Sequence, residues 1–396
     1  MTKQGISENQ VNTAFLGIGS NIGNKKRNIE KTKFLLQINS IKILKSSNIY
    51  ETYSWPNKNQ PKFYNIVIKV MTNLKPENLF YVIKNIEKKL GRKKAKINEP
   101  RTCDIDILDY KGKIYKLDAN NNKLIKNFGF NGYISTNSSI KFSPIIFKDN
   151  IYIVNYHGVL MKHNKISGEK IFEINLLPKK NFWGGVPWGG MALDEVNNII
   201  YVVTGNPRPG TYGVKRIGSN KNSNSIIAVD LNKRKIIWTF QETSHDLWDL
   251  DIAFPPILIT IKINNINYDC VVVATKVGNL ILLERLTGKP IFDMMYKKAP
   301  ISNVPGEITS PYQLFIEKPQ PMTKFEFSLN DVENVDVNQK KYLLKKLKKF
   351  EYGWFKPPSM NVPLIYMANG PIWEGGSINP INKKFYTTVN HLGTVI

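Results

Sequence analysis

Asp104 and Asp106 stand two residues apart in CDIDILDY, an apolar stretch of strand character. Side chains alternate across a strand, so both carboxylates face one way and Ile105 and Ile107 face the other, toward a core. Two adjacent carboxylates repel unless a cation lies between them. Magnesium, held by one or two carboxylates and by nucleotide phosphates, would relieve that repulsion. An exposed acidic strand edge is the alternative. Arg101 and the helix-end group Arg92, Lys93, Lys94 and Lys96 weigh toward phosphate chemistry, because guanidinium and ammonium groups pair with phosphate oxygens. A second constellation, HDLWD at residues 245–249, lies far downstream. Taken alone, it is explained by a buried tryptophan and a capping aspartate.

The elements around the two aspartates follow from periodicity and turn chemistry. TAFLGIGSN (Thr13–Asn21) reads as a strand ended by a glycine-rich turn. Residues 24–38 are helix-like. SIKILKSSNIYET and KFYNIVIKVMTN are strand-like, the second alternating at Tyr64, Ile66, Ile68 and Val70. Pro76 opens a helix, where its missing N–H is harmless. Leu79, Val82, Ile83, Ile86 and Leu90 form its buried stripe, and Gly91 ends it. The order β-α-β-β-α-β predicts an α+β ferredoxin-like sandwich.

GSNIG (Gly19–Gly23), SSNIYET (Ser46–Thr52), QPKFYN (Gln60–Asn65), IEKKLGR (Ile86–Arg92) and PRTCDIDIL (Pro100–Leu108) occur in order and at the spacing of a known family. On these motifs residues 13–112 resemble 6-hydroxymethyl-7,8-dihydropterin pyrophosphokinase. The resemblance implies transfer of pyrophosphate from ATP to the pterin hydroxymethyl group. It implies Asp104 and Asp106 as ligands of Mg²⁺, with Phe63 stacking on the pterin and Asn65 bonding its edge. Thr52, Tyr53 and Trp55 would line the pterin pocket. Glu87, Arg92, Lys94, Arg101 and Ile107 would meet ATP, with Arg92 and Arg101 stabilising the transferring group. The family continues past its metal strand with a histidine-bearing closing segment, and no such segment follows Tyr110.

From residue 113 a different pattern recurs: KIYKLDANNNKLI, GVLMKHNKISGEKIFEI, NSIIAVDLNKRKIIWTF and GNLILLERLTGKPIF. Each is a strand, a tight polar turn and another strand. Recurrence at tens of residues signals a propeller or solenoid, and the tryptophans at 183, 188, 238 and 248 fit packed blades. FWGGVPWGGMALDEVNNIIYVVTGNPRPG, QETSHDLWDLD and ATKVGNLILLER, with VPGEITSPYQ, FKPPS and GPIWEGGSINP, resemble the PQQ-dependent glucose and alcohol dehydrogenases. The resemblance implies an all-β propeller over residues 113–396, incomplete at its opening blades. It implies Trp188 under the quinone PQQ, Asn206 near a bound Ca²⁺, Asp249 as catalytic base and Lys276 on the quinone oxygens, with an alcohol or sugar as substrate.

Composition bounds the remaining readings. The chain has 396 residues, 56 basic and 31 acidic, for a formal net charge of +25. The lysines are scattered with few interleaved aromatics, so no specific nucleic-acid partner is expected. The run Lys340–Phe350 reads as a solvated helix face. Cys103 and Cys270 provide no disulfide framework or metal-ligand spacing. No apolar run approaches the roughly 20 residues needed to span a bilayer. The N-terminal residues lack a signal pattern, so a cytoplasmic location is expected. The changeover falls inside Lys111–Leu117. It supports three readings: a working pyrophosphokinase, a quinoprotein oxidoreductase, or a fusion of two truncated genes in which neither site works.

Overall fold

The structure is a computed structural model that describes residues 12–54, 59–74, 76–92, 99–110, 112–119, 123–178, 184–332, 336–367, 370–379, 381–382, 384–390 and 393–396. Trp55, Lys93, Lys94, Lys96 and Trp183 lie outside these residues. Two units separate at Ser139/Ile140, with Ser167–Glu169 grouped with the first.

The first unit is mixed α/β. Its antiparallel sheet runs β2 (Lys42–Ser46), β4 (Phe63–Thr72), β1 (Asn12–Ser20), β5 (Asp104–Tyr110), β6 (Lys113–Tyr115) and β7 (Tyr133–Ser135), with β3 (Tyr50–Thr52) also on β4. Helices α1 (Lys25–Ile38) and α2 (Pro76–Lys89) supply the other layer. Ala14, Leu16 and Ile18 of β1, Ile66, Ile68 and Val70 of β4 and Ile105 of β5 meet Ile29 and Leu36 of α1 and Leu79, Ile83 and Ile86 of α2 in one core. Strand alternation then sends Gly17, Gly19, Asn65, Asp104 and Asp106 to the opposite face. Asn24 caps α1, its Oδ1 accepting from Arg27 N at 3.0 Å.

Ser40–Thr52 does not form the single strand its pattern suggests. It breaks into β2 and β3, which both pair with β4 but in registers one step apart. Ser47 explains the break. Its Oγ accepts from Val67 N at 3.0 Å while its own N–H donates to Val67 O at 2.9 Å, so a side chain takes a ladder position. Past Tyr110 the sheet continues into β6 and β7.

The second unit is mostly β. Its three larger antiparallel sheets are β8 (Ile145–Phe147) to β11 (Lys170–Asn175), with β9 (Asn150–Val154) and β10 (Val159–Asn164) between them; β12 (Met191–Asp194) to β15 (Lys235–Gln241), with β13 (Ile199–Val203) and β14 (Ser225–Asp230); and β16 (Ile257–Ile263), β17 (Ile266–Ala274) and β18 (Leu280–Glu284). All five residues of β13 are buried. Its odd positions, Ile199, Tyr201 and Val203, pack with Val271, Val273, Ile281 and Leu283 of the third sheet. Its even positions, Ile200 and Val202, pack with Tyr152, Val154 and Leu160 of the first. The middle sheet is therefore covered on both faces, which is why β13 and β14 read as continuous apolar runs rather than alternating ones. Helix α3 (Val337–Leu347) buries no residue fully, and Leu343, Leu344 and Leu347 pack only at its inner side. Cys103 and Cys270 are both free and buried. No helix among the described residues is long and apolar enough to cross a membrane.

Candidate functional site

The first unit's functional side chains lie across the three central strands. Asp104 on β5 stands opposite Gly19 on β1, and Gly19 stands opposite Asn65 on β4. Gly17 likewise faces Asp106. A Cβ on Gly19 would sit 2.8 Å from Asn65 Oδ1 and 3.4 Å from the Phe63 ring. The missing side chain thus leaves a trough between the aromatic and amide on one strand and the carboxylate on the other. Asn65 Nδ2 donates to Thr52 Oγ1 at 2.8 Å, which fixes the amide with its oxygen toward Gly19.

The carboxylate side is held by arginines. Arg92 Nη1 lies 2.5 Å from Asp104 Oδ1 and 2.6 Å from Glu87 Oε2, and Arg101 Nη1 lies 2.8 Å from Asp104 Oδ2. Glu87 is buried, and its Oε1 accepts from Ile105 N and from Lys84 Nζ, each at 2.8 Å. The Asp106 side chain makes no hydrogen bond among the described residues. Desolvation, then the charge of Asp104, raises its pKa above the usual carboxylate value, although its side chain reaches solvent. This unbalanced pair suits a hard cation such as magnesium. The Arg101 guanidinium carbon lies 5.8 Å from the Phe63 ring centre, and Arg101 Nε is a buried donor with no partner among the described residues. The structure therefore brings Thr52, Phe63, Asn65, Glu87, Arg92, Arg101, Asp104 and Asp106 to one region. Tyr53 is exposed, with Lys62 Nζ 4.7 Å from its ring centre. The Ile107 side chain packs against the core on the other face. Trp55 and Lys94 lie outside the described residues.

Sequence reasoning did not single out Asn21. It is buried, its Oδ1 accepts from Arg101 N at 2.6 Å, and its Nδ2 donates to Pro61 O at 3.1 Å. One side chain thus ties the loop carrying Arg101 and the loop preceding Phe63 to the end of β1. The buried polar residue just after an apolar strand was the available signal.

In the second unit Asp246 builds the loop that carries the acids. Fully buried, it accepts from Trp248 N and Leu250 N, each at 2.7 Å, and from Asn224 Nδ2 at 3.0 Å. Burial pushes its carboxyl up to about 6 against those hydrogen bonds. The loop presents Asp249, at φ +60°, and Asp251. Asp251 is buried and central. Its Oδ1 accepts from Trp188 Nε1 at 2.9 Å and from Asn206 N at 2.8 Å, and its Oδ2 lies 2.7 Å from Lys276 Nζ. Asp249 is half-exposed, accepting from Asn206 Nδ2 at 2.6 Å and standing 3.4 Å from Lys276 Nζ. Burial, the largest single influence on Lys276, lowers its pKa. The charges of Asp251 and Asp249 outweigh it and hold the ammonium above the usual lysine value.

Trp188, Asn206, Asp249 and Lys276 are thus brought together, and Asp251, which the motif reading passed over, bonds to Trp188, Asn206 and Lys276. A Cβ on Gly205 would lie 2.8 Å from Trp188 Nε1, so that glycine lets the Trp188–Asp251 bond form. A pocket of about 310 Å³ opens here, lined by Lys141, Tyr156, Val186, Trp188, Asn206, Arg208 and Asp251. That volume suits a small planar ligand. Asn206 and Asp249 offer the hard oxygens that calcium takes. No group of three or more His, Cys, Asp or Glu side chains able to hold a metal occurs among the described residues.

Comparison with known proteins gives a family match for each unit. Residues 175–396 match the family described as glucose/ethanol/alcohol dehydrogenase, beta-propeller domain. Residues 15–127 match 7,8-dihydro-6-hydroxymethylpterin-pyrophosphokinase (HPPK). The chain is 26% identical to quinoprotein glucose dehydrogenase A of Acinetobacter calcoaceticus over 332 residues, 73% of this chain and 41% of that protein. It is 40% identical to the 2-amino-4-hydroxy-6-hydroxymethyldihydropteridine pyrophosphokinase of Aquifex aeolicus over 108 residues, 26% of this chain and 64% of that protein. It is 42% identical to the folic acid synthesis protein fol1 of Pneumocystis carinii over 115 residues, 28% of this chain and 16% of that protein. The chain therefore spans less than two thirds of each of these relatives.

Proposed function

The chain belongs, through residues 175–396, to the glucose/ethanol/alcohol dehydrogenase β-propeller family and carries an HPPK domain over residues 15–127, and on that premise we propose that its first unit transfers pyrophosphate from ATP to 6-hydroxymethyl-7,8-dihydropterin, releasing AMP. The observation that carries this reading is the Asn65–Gly19–Asp104 rung, with Phe63 at one end and Arg92 and Arg101 on the carboxylate at the other. Phe63 offers a face for the pterin and Asn65 a fixed amide for its edge. Arg92 and Arg101 orient and neutralise the phosphates, and the unpartnered Arg101 Nε is one donor ready for them. Asp104 and Asp106 would hold magnesium, which supplies charge neutralisation to the phosphoryl oxygens. The ferredoxin-like sandwich is the frame in which we place this site, and the cytoplasm is where we place the protein.

The test is direct. The full chain, supplied with ATP, Mg²⁺ and hydroxymethyl-dihydropterin, is expected to release AMP, and Asp104→Ala is expected to abolish that release while the protein stays folded. Folded wild-type protein that releases no AMP overturns the reading. The second unit supports a separate reading as a PQQ-dependent alcohol or sugar oxidoreductase. It rests on the pocket lined by Trp188, Asn206 and Asp251, and on the Lys276 ammonium held between Asp249 and Asp251. Trp188 would face the quinone, Lys276 would hold its oxygens, and Asp249 would take the substrate hydroxyl proton.

A further inference from the structure

The turn that carries Lys276 is held by a carboxyl group to which the sequence reading gives no role. Glu242 directly follows β15 and is only 3% exposed. Its Oε1 accepts from Thr275 Oγ1 and from Asn279 Nδ2, each at 2.8 Å. These two donors bracket the turn Thr275–Asn279, which is closed by Thr275 N donating to Asn279 O at 3.0 Å and Gly278 N to Thr275 O at 2.9 Å. Lys276 is the second residue of that turn. Glu242 therefore grips both ends of the segment that delivers the ammonium to Asp249 and Asp251.

Its other oxygen has no donor. Glu242 Oε2 is buried without a hydrogen-bond partner among the described residues. The residue opposite continues the β14–β15 ladder, since Glu242 N donates to Asn224 O at 3.0 Å. The Asn224 side chain is itself fully buried. Its Nδ2 is used twice, on Asp246 Oδ2 at 3.0 Å and Leu250 O at 2.8 Å, yet its Oδ1 also lacks a donor. Two buried acceptors without donors, on residues already bonded through their backbones, lack one hydrogen. A solitary buried acceptor is destabilising, and a buried unpaired charge more so. A proton on Oε2 removes the charge and supplies the missing donor together.

We propose that Glu242 is held as the neutral acid, with its Oε2–H offered to the Asn224 amide oxygen, and that in this form it is a positioning residue for the turn that carries Lys276. The surrounding charges agree. Burial, the largest influence, and the carboxylate of Asp246 push its carboxyl up to about 7, against the hydrogen bonds from Asn279 and Thr275. The donors reaching Glu242 from the Lys276 turn are neutral, so no cation there favours its ionised form. Asp246, on the loop after β15, is the one charged group that acts on it among the described residues. Losing the proton would set an uncompensated charge beside Asp246. This protonation state stands whether or not the pocket binds a quinone.

The sign of the linkage follows. The folded state holds the Glu242 proton more tightly than the unfolded chain does. Its stabilisation is therefore full below the ordinary glutamate value of about 4.3 and is lost as pH rises through about 7. Glutamine is the neutral isostere: its amide N–H can serve Asn224 and its oxygen can keep accepting from Thr275 and Asn279. The experiment is thermal unfolding of the full chain from pH 5 to 9 for wild type, Glu242→Gln and Glu242→Leu. Glu242→Gln is expected to match wild type near pH 5 and to unfold at a higher temperature than wild type at pH 8, removing part of the alkaline fall. Glu242→Leu, which can bond neither end of the turn, is expected to be less stable than Glu242→Gln at every pH. A Glu242→Gln protein that is less stable than wild type at pH 8, or whose pH profile parallels wild type, overturns the proposal.

Discussion

At the scale of single residues, both sites depend on what is missing as much as on what is present. Gly19 contributes no side chain, and the trough between Asn65 and Asp104 exists because of it. Gly19→Val would drive the Asn65 amide and the Phe63 ring aside. It is expected to lower kcat/KM for the pterin by roughly 100-fold, as a displacement of about 1 Å in a positioned site can, while ATP binding, measured separately, stays near the wild-type value. Binding of both substrates unchanged in Gly19→Val would show that the trough is not the pterin site. Part of this region is legible in the chain itself, because period-two alternation places Asp104 and Asp106 on one face, whereas Phe63 and Asn65 are picked out by the family motif. The second site is less so. HDLWDLD contains three aspartates, and spacing alone does not say which becomes buried. That is decided by Asp246 turning inward to collect backbone N–H groups, which leaves Asp249 half-exposed and sends Asp251 to join Trp188, Asn206 and Lys276.

At the scale of elements, local chemistry explains most boundaries. Helix α1 begins at the residue after Asn24 because that side chain satisfies an otherwise unpaired N–H at the helix start. Asn24→Ala is expected to cost about 1 kcal/mol, read as a lower unfolding midpoint of the first unit with the AMP-forming activity per folded molecule unchanged. Helix α2, with Pro76 at its first position and an apolar stripe at helical spacing, forms where periodicity places it. The split of Ser40–Thr52 into β2 and β3 was not legible. Ser47 looks like any strand serine until its hydroxyl finds the N–H of Val67, 20 residues away in sequence but adjacent across the ladder. The apolar run of β13 could equally belong to a helix segment by composition, and only the sheets on both of its faces explain why every side chain there is buried.

At the scale of the whole molecule, the two units are separable in experiment. If the second unit takes PQQ with calcium, a ligand at about 100 times its dissociation constant stabilises the fold that binds it by about 2.7 kcal/mol. The expected outcome is a rise in the unfolding temperature of the second unit alone, absent in Lys276→Ala. An unchanged melting curve at saturating PQQ would overturn the quinone reading without touching the kinase. The distribution of cysteine adds a means of following each part. Cys103 belongs to the first unit and Cys270 to the second. Burial pushes both thiols up to about 11, so neither is nucleophilic in the closed fold at neutral pH. Each unit therefore carries its own silent chemical clock: alkylation at Cys103 marks the moments when the first unit opens, and alkylation at Cys270 those when the second does, within one chain and without an added label.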